Sequence, residues 1–323
     1  MIALVIGTFA LGIAEFAMMG ILGDVADKLG VSIVSAGHLI SAYSGGVAIG
    51  APALIFLRKL PLRRLMLLLA ALIAAGNAFA AIAPNYWTLL VARFISGLPH
   101  GAFFGAGAIV CSRLSSPGHG AQAVAVMVGG MTLANLVGVP GATFISNVLS
   151  WRIAFAIVSL FGMLAFAGIR LWVPVLSALP DSGLKGQFRF LRSAAPWLIY
   201  AGVFFGQASV YCYFSYVEPI MTEITGFSSS AMTLIMVLAG SGMVVGNIAA
   251  GKLADRFQPS LVTGCIAVLA AILMPCIYFC APYKLPSLIL MFVAAGCLFG
   301  LGGPLQYLIV KFSKGGEMLG GAG

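Results

Sequence analysis

One acidic residue, Glu15, lies near the middle of an otherwise apolar run that begins at Ile2. A carboxylate in such a run is energetically costly, so acids placed there usually face a water-filled cavity or a polar partner. A buried carboxyl group can bind and release protons near neutral pH, because burial disfavours its charge. The sequence therefore predicts that Glu15 carries a proton or, as the alternative, makes a structural hydrogen bond to a neighbouring helix.

Two basic side chains share one face of a later apolar run. Arg93 and His100 are seven residues apart, which is two helical turns, so both can point into the same cavity. A buried guanidinium needs a counter-charge, and Glu15 is the acid that the apolar runs offer, so we expect Arg93 to pair with Glu15. We interpret Glu15, Arg93 and His100 as a proton-coupling group, although His100 could instead be a packed histidine.

Two sets of residues could line a substrate cavity. One set lies on the same helix faces as Glu15 and Arg93, and the other forms an aromatic stripe on the run 196–217. The stripe consists of Tyr200, Phe204, Gln207, Tyr211 and Phe214. Its rings and single amide suit a neutral or lipophilic ligand, and plain packing is equally compatible with them. We predict the following cavity residues: Thr8, Met19, Gly97, Gln207, Tyr211 and Phe214.

Membrane-spanning helices are the elements that must position these groups. The 323 residues are 61% hydrophobic and 8% charged, whereas soluble domains are about a quarter charged. Apolar runs of about twenty residues recur without strand-like alternation, and each is long enough to cross a bilayer as a helix. The runs cover residues 3–23, 36–57, 66–83, 88–111, 122–148, 152–173, 196–217, 230–250, 261–281 and 286–310. The composition predicts an all-α integral membrane protein.

The formal net charge of +9 follows the loops rather than a nucleic-acid-binding surface. With the N-terminus in the cytoplasm, the outer loops hold Lys28, Arg152 and Lys284 together with several acids. The inner side holds Arg58, Lys59, Arg63, Arg64, Arg113, Arg170, Lys185, Arg189, Arg192, Lys252, Arg256, Lys311 and Lys314. This asymmetry is the positive-inside rule, so it predicts the topology and no nucleic-acid partner.

The polar stretch 174–195 divides the chain into residues 1–173, with six spans, and 196–323, with four. Its "QFRFLR" could form a short amphipathic helix on the inner membrane surface. A shift of 196 residues places "GVS" (30–32) on "GFS" (226–228), "GVAIG" (46–50) on "GMVVG" (242–246), and Glu15 on Tyr211. A slip of 199 places Gly97 and Gly101 on Gly296 and Gly300. A repeat of six helices is typical of secondary transporters.

Several stretches together resemble the major facilitator superfamily. "GKLADRF" (251–257) resembles its inner-loop signature, although the corresponding first-half stretch "IFLRKLPLRR" lacks the acid. "RFISGLPHGAFFGAGA" (93–108) is similar to its fourth helix, and "GVPGATFIS" (138–146) to its antiporter motif. With the opening "LGIAEFAMMGIL", the order of these motifs resembles the AraJ-type arabinose-efflux permease and drug–proton antiporter subgroup.

The resemblance implies a helical bundle with two pseudo-symmetric halves, in which ten of an expected twelve transmembrane helices are present. It implies a secondary transporter for proton-coupled efflux of a sugar or small amphiphile by alternating access; the alternatives are proton-coupled uptake and a non-transporting fragment. It also implies a bacterial inner membrane location, a small-molecule substrate, and a monomer when full length. The matching gating and structural motif residues are Gly251, Asp255, Arg256, Gly138, Pro140 and Gly141.

Two further expectations concern what the chain lacks. We find no nucleophile, phosphate-binding loop or spaced cluster of metal ligands, so we expect no enzymatic activity, metal or cofactor. We interpret the cysteines, which all lie in apolar runs, as small packing residues. Because the last two helices are missing, we expect the second span to lack a partner along Ala42, Gly46 and Gly50.

Overall fold

The computed structural model describes residues 1–57, 59–116, 119–177 and 192–312. Within those ranges, nine helices are long and apolar enough to cross a membrane. A further helix, Ala194–Ser215, has 22 residues but carries Gln207 and three tyrosines, which lower its hydropathy. Each predicted span is therefore a helix, and the prediction of an all-α membrane protein is confirmed. The predicted "QFRFLR" segment lies outside the described residues except for Arg192.

The spans are numbered here in chain order. Span 1 is Ile2–Phe16, continued by the 3-10 turn Ala17–Gly20 and followed by the short helix Leu22–Leu29. Spans 2 to 4 are Ile33–Ala53, Leu62–Ile82, and the pair Tyr86–Gly97 and Pro99–Leu114. Span 5 is Gly120–Leu133, the π-turn Ala134–Gly138 and Val139–Val148, and span 6 is Trp151–Trp172. Spans 7 to 10 are Ala194–Ser215, Met232–Arg256, Pro259–Cys280 and Lys284–Phe312.

Glycines with a left-handed backbone mark equivalent turns in the two halves. Gly30, before span 2, has φ 64°, and Gly226, before span 8, has φ 75°. Only glycine adopts this backbone conformation without a steric penalty from Cβ. These are the residues that the repeated "GVS" and "GFS" place on each other, so the same turn leads into the second helix of each half.

Spans 2 and 4 approach each other closely because glycines line their contact. A Cβ on Gly46 would collide with the carbonyl oxygen of Phe94, and a Cβ on Gly50 would collide with that of Leu98. Close backbone approach of this kind is how helices associate in lipid. Gly46 and Gly50 are therefore buried against span 4, and the expectation that they lie on an uncovered surface is wrong.

The second half repeats this packing between spans 8 and 10. A Cβ on Gly242 would collide with the carbonyl oxygen of Phe292, and one on Gly246 with that of Gly296. Phe292 and Gly296 thus take the places that Phe94 and Leu98 have in the first half. The structure therefore aligns Leu98 of span 4 with Gly296 of span 10, one residue away from the sequence match of Gly97 with Gly296.

The halves are held together at one end of the bundle, which we call the closed end. There the backbone N–H of Gly23 donates to the Glu218 carboxylate at 2.7 Å, and the Asn147 amide donates to the Ser229 carbonyl at 2.9 Å. Each of these bonds joins the first half to the second. Residues 232–243 of span 8 are mostly buried on this side, whereas residues 251–258 at its other end are mostly exposed.

Glu218 is the buried acid of the closed end, just beyond the end of span 7. Burial raises the pKa of its carboxyl group, and the nearby Glu223, Asp27 and Asp24 raise it further. The hydrogen bond from the Gly23 N–H acts in the opposite direction, because it favours the charged carboxylate. Protonation of Glu218 therefore favours the buried arrangement over one in which this carboxyl group is exposed.

Candidate functional site

The Glu15 side chain lies at the meeting point of spans 1, 4 and 7. The hydroxyl of Tyr211 donates a hydrogen bond of 3.0 Å to one carboxylate oxygen. The other oxygen lies 3.6 Å from Nε2 of His100. The Glu15 side chain retains 16% of its exposure, so the group is enclosed but not sealed. A carboxyl group in this position is contacted from both halves of the protein.

The contact between Glu15 and Tyr211 locates the centre of the molecule. These residues are 196 positions apart, which is the shift that places the first half of the sequence on the second. Two residues related by a two-fold axis can touch each other only near that axis. The axis relating the halves therefore passes close to the Glu15 carboxylate.

Arg93 is fully buried beside Glu15 but bonds to backbone rather than to the carboxylate. Its Nη1 donates to the Ala14 carbonyl at 2.7 Å, and its Nε donates to the Leu39 carbonyl at 3.4 Å. Ala14 lies within the last turn of span 1 before its 3-10 turn at Ala17. Among the described residues, the basic side chain within 4.0 Å of the Glu15 carboxylate is His100, so the expected ion pair of Glu15 with Arg93 is absent.

Span 4 carries both basic groups of the site and is fixed at its start. The Asn85 side chain accepts the N–H of Thr88 at 3.0 Å, which caps the helix. The helix is interrupted between Gly97 and Pro99, directly before His100. Pro99 cannot donate a backbone hydrogen bond, which accounts for the interruption of the predicted span 88–111 at this point.

Tyr43 of span 2 is a site residue that the sequence analysis missed. Its hydroxyl lies 2.8 Å from Nδ1 of His100, and Cζ of Arg93 lies 4.4 Å from its ring centroid. The side chain is 1% exposed. A tyrosine within an apolar span needs a hydrogen-bond partner for its hydroxyl, and that signal could have identified Tyr43.

The predicted cavity residues divide between packed and accessible positions. The Thr8 hydroxyl donates to the Met127 carbonyl at 2.6 Å, and Thr8, Met19 and Phe214 are fully buried. Gly97 is also buried, against the backbone of Tyr43. The half-buried members are Gln207 and Tyr211. Gln207 donates to the Leu298 carbonyl at 3.5 Å, so it lies between spans 7 and 10.

The predicted motif residues lie in span 5 and in the last turns of span 8. Gly138 faces Ile13 of span 1, and Pro140 is buried. A Cβ on Gly141 or on Gly251 would meet no atom within 4 Å. Asp255 and Arg256 are exposed at the end of span 8, where Cζ of Arg256 lies 5.7 Å from the centroid of the Phe257 ring.

These observations define a helical membrane protein of two related halves, closed at one end, with a carboxyl group near the axis between them. That is the architecture of a secondary transporter. The sequence pattern of the Major Facilitator Superfamily matches residues 4–322, and the chain belongs to this family. The protein is accordingly a membrane transporter and not an enzyme, as the sequence predicts.

The chain is similar to named members of the family. It is 46% identical to AraJ of Escherichia coli (strain K12) over 326 residues, covering 100% of this chain and 82% of that protein. It is 27% identical to the chloramphenicol resistance protein of Streptomyces lividans, covering 99% and 82%. A bacterial homologue of the human lysosomal transporter Spinster, solved inward-facing and unoccupied, shares the fold with a TM-score of 0.74. Its sequence is 16% identical to this one, and the match covers 99% of this chain and 79% of that chain.

Proposed function

We propose that the protein exports a small amphiphilic compound or sugar across the bacterial inner membrane in exchange for protons. Glu15 is the proton-binding group, and alternating access moves the halves about it. The observation that carries the proposal is the enclosed Glu15 carboxylate, which bonds to Tyr211 of the second half and faces His100 of the first.

The position of Glu15 supports a coupling role. A group near the axis between two moving halves can be exposed to either side of the membrane in turn. The charged carboxylate accepts the Tyr211 hydroxyl, whereas the neutral acid has less demand for that donor. Loss or gain of a proton at Glu15 therefore changes the strength of a bond that joins the halves, which links protonation to their movement.

Three further observations support the orientation, the direction of transport and the substrate class. Basic residues cluster in the loops on the Arg256 side, which by the positive-inside rule is the cytoplasmic side, together with the N-terminus. The closed end then faces outward. A relative whose name records chloramphenicol resistance supports export of an amphiphile. In the described part of spans 7 to 10, Asp255 is the one acidic residue, which supports a neutral or weakly polar substrate.

A transport assay tests the proposal. Inverted membrane vesicles with an acidified lumen receive radiolabelled chloramphenicol or arabinose, and accumulation is compared between wild type and Glu15→Gln. We expect the proton gradient to drive accumulation in the wild type and not in the variant.

The outcomes separate the possible roles of Glu15. Accumulation that persists in Glu15→Gln would show that the carboxylate does not couple the proton. Accumulation driven by an alkaline lumen instead would show uptake by symport, and the proposed direction would then be wrong. Size-exclusion chromatography of Glu15→Gln confirms that the variant is folded before its activity is compared.

A further inference from the structure

A continuous set of contacts surrounds Glu15, and Tyr43 connects its two basic residues, Arg93 and His100. The Arg93 guanidinium bonds to the carbonyl of Ala14, next to Glu15, and lies over the ring of Tyr43. The Tyr43 hydroxyl bonds to Nδ1 of His100, and Nε2 of His100 faces Glu15. Spans 1, 2 and 4 are thereby tied together around one carboxyl group.

The hydrogen bond between Tyr43 and His100 can be made in two ways. Either the hydroxyl donates to an unprotonated Nδ1, or a protonated Nδ1 donates to the hydroxyl oxygen. The cation of Arg93 over the ring withdraws electron density from the phenol, which makes its O–H a better donor and its oxygen a poorer acceptor. The arrangement with the hydroxyl as donor is therefore favoured.

The carboxylate on the other side of the imidazole favours the same arrangement. If Nδ1 accepts the Tyr43 hydroxyl, the proton of the neutral ring is on Nε2 and faces the Glu15 oxygen 3.6 Å away. The opposite tautomer would place a bare nitrogen lone pair against a carboxylate. The Phe104 ring also lies beside His100, with a centroid distance of 5.3 Å, and Tyr211 bonds to the Glu15 carboxylate.

We infer that Tyr43 is a positioning residue that holds His100 in the tautomer protonated at Nε2, so that an N–H group always faces Glu15. This inference rests on the proposed function, because it explains how the proton site is kept in one geometry. The tyrosine ring is itself held by Arg93 and is buried, so its hydroxyl cannot turn away from the histidine.

Nitrogen NMR of protein labelled with 15N-histidine tests the inference directly, since the two ring nitrogens have different shifts in each tautomer. The protein in lipid nanodiscs is compared with Tyr43→Phe, and His100 is assigned through the His100→Gln spectrum. We expect wild type to show a protonated Nε2 and an unprotonated Nδ1. In Tyr43→Phe the ratio of the Nε2-protonated to the Nδ1-protonated tautomer should fall about five-fold, because the free energy of one hydrogen bond corresponds to a change of that size.

A second tyrosine–histidine pair provides the matched control. The Tyr86 hydroxyl lies 3.4 Å from Nδ1 of His38 at an exposed position, so Tyr86→Phe should leave the His100 signals unchanged. Wild-type His100 protonated at Nδ1, or an unchanged tautomer ratio in Tyr43→Phe, would overturn the inference. If Tyr43→Phe does not fold, wild-type His100 protonated at Nδ1 would still overturn the inference.

Transport separates this inference from the proposed function. Tyr43→Phe should shift the pH profile of proton-driven accumulation, which a loss of packing alone would not do. If the wild type shows no proton-driven transport while His100 shows the expected tautomer, the proposed function fails and the role of Tyr43 stands. If transport is normal and the tautomer is not as expected, the role of Tyr43 fails alone.

Discussion

The contact between spans 5 and 8 predicts that Gly240→Ala opens the closed end. A Cβ on Gly240 would lie 2.7 Å from the carbonyl carbon of Asn135 and closer still to its oxygen, whereas ordinary contacts begin at 3.4 Å. The obstructing atoms are backbone atoms of the other half, so no side-chain rotation can relieve the collision. The two spans must separate by about 0.7 Å or more, and overpacking of this kind costs about 1–3 kcal/mol.

That cost falls on the closed arrangement, in which the contact is tight. Because 1.4 kcal/mol is a factor of ten, the ratio of closed to open molecules should fall by roughly 5-fold to 150-fold. Pulsed EPR measures this ratio from the distance between spin labels at Ser32 and Ser228, which are exposed and equivalent in the two halves. The labels are placed in a background in which the native cysteines are replaced.

Gly129→Ala is the control for Gly240→Ala, because a Cβ on Gly129 would meet no atom within 4 Å. Its distance distribution should match the wild type, while that of Gly240→Ala should move to longer distances. Identical distributions for Gly240→Ala and the wild type would refute the reasoning that this contact holds the halves together. An equal shift in both variants would show that the effect comes from any added methyl group.

Two further predictions concern buried charge. The pKa of Glu218 is raised in the closed arrangement, so its contribution to closure is fully present below about pH 4, where an exposed Glu is protonated, and is lost as the pH rises through the raised pKa. Glu218→Gln can still accept the Gly23 N–H, so this variant should keep the end closed at every pH. A spin-label distance that depends on pH in the variant as much as in the wild type would contradict this. Arg93→Lys should lower the free energy of unfolding by about 1.5–3 kcal/mol, because the single lysine nitrogen cannot occupy the separate positions of Nη1 and Nε that bond to the Ala14 and Leu39 carbonyls. Denaturant titration compares this loss with that of Arg152→Lys, and equal losses in both variants would refute a special role for the buried site.

The fold could be predicted from the sequence because it depends on local properties. A run such as 66–83 is long and apolar enough to be a span whatever its neighbours are. The left-handed glycines Gly30 and Gly226 lie where the repeated "GVS" and "GFS" indicated equivalent turns. Which face of a helix meets which neighbour is a property of the assembled bundle, and for that reason Gly46 and Gly50 were placed on the wrong surface.

The sequence predicted which charged residues of the spans lie together, but it did not predict which of them contact each other. Glu15, Arg93 and His100 do lie close together, because charges in apolar spans collect at the centre of a bundle. The sequence paired Glu15 with Arg93 on charge alone. It could not show that the backbone carbonyl of Ala14 would accept the Arg93 guanidinium, since that contact between spans 1 and 4 is made only in the assembled bundle.

The asymmetry of the site follows from its position on the axis. Glu15 and Tyr211 occupy equivalent places in the two halves and touch at 3.0 Å. If the second half also carried a carboxyl group there, two like charges at this distance could not both ionise, and one would stay protonated. A hydroxyl in that place instead donates a hydrogen bond to the Glu15 carboxylate and adds no second charge. The centre of the duplicated fold therefore holds a single carboxyl group, because the equivalent position of the second half carries a hydroxyl donor.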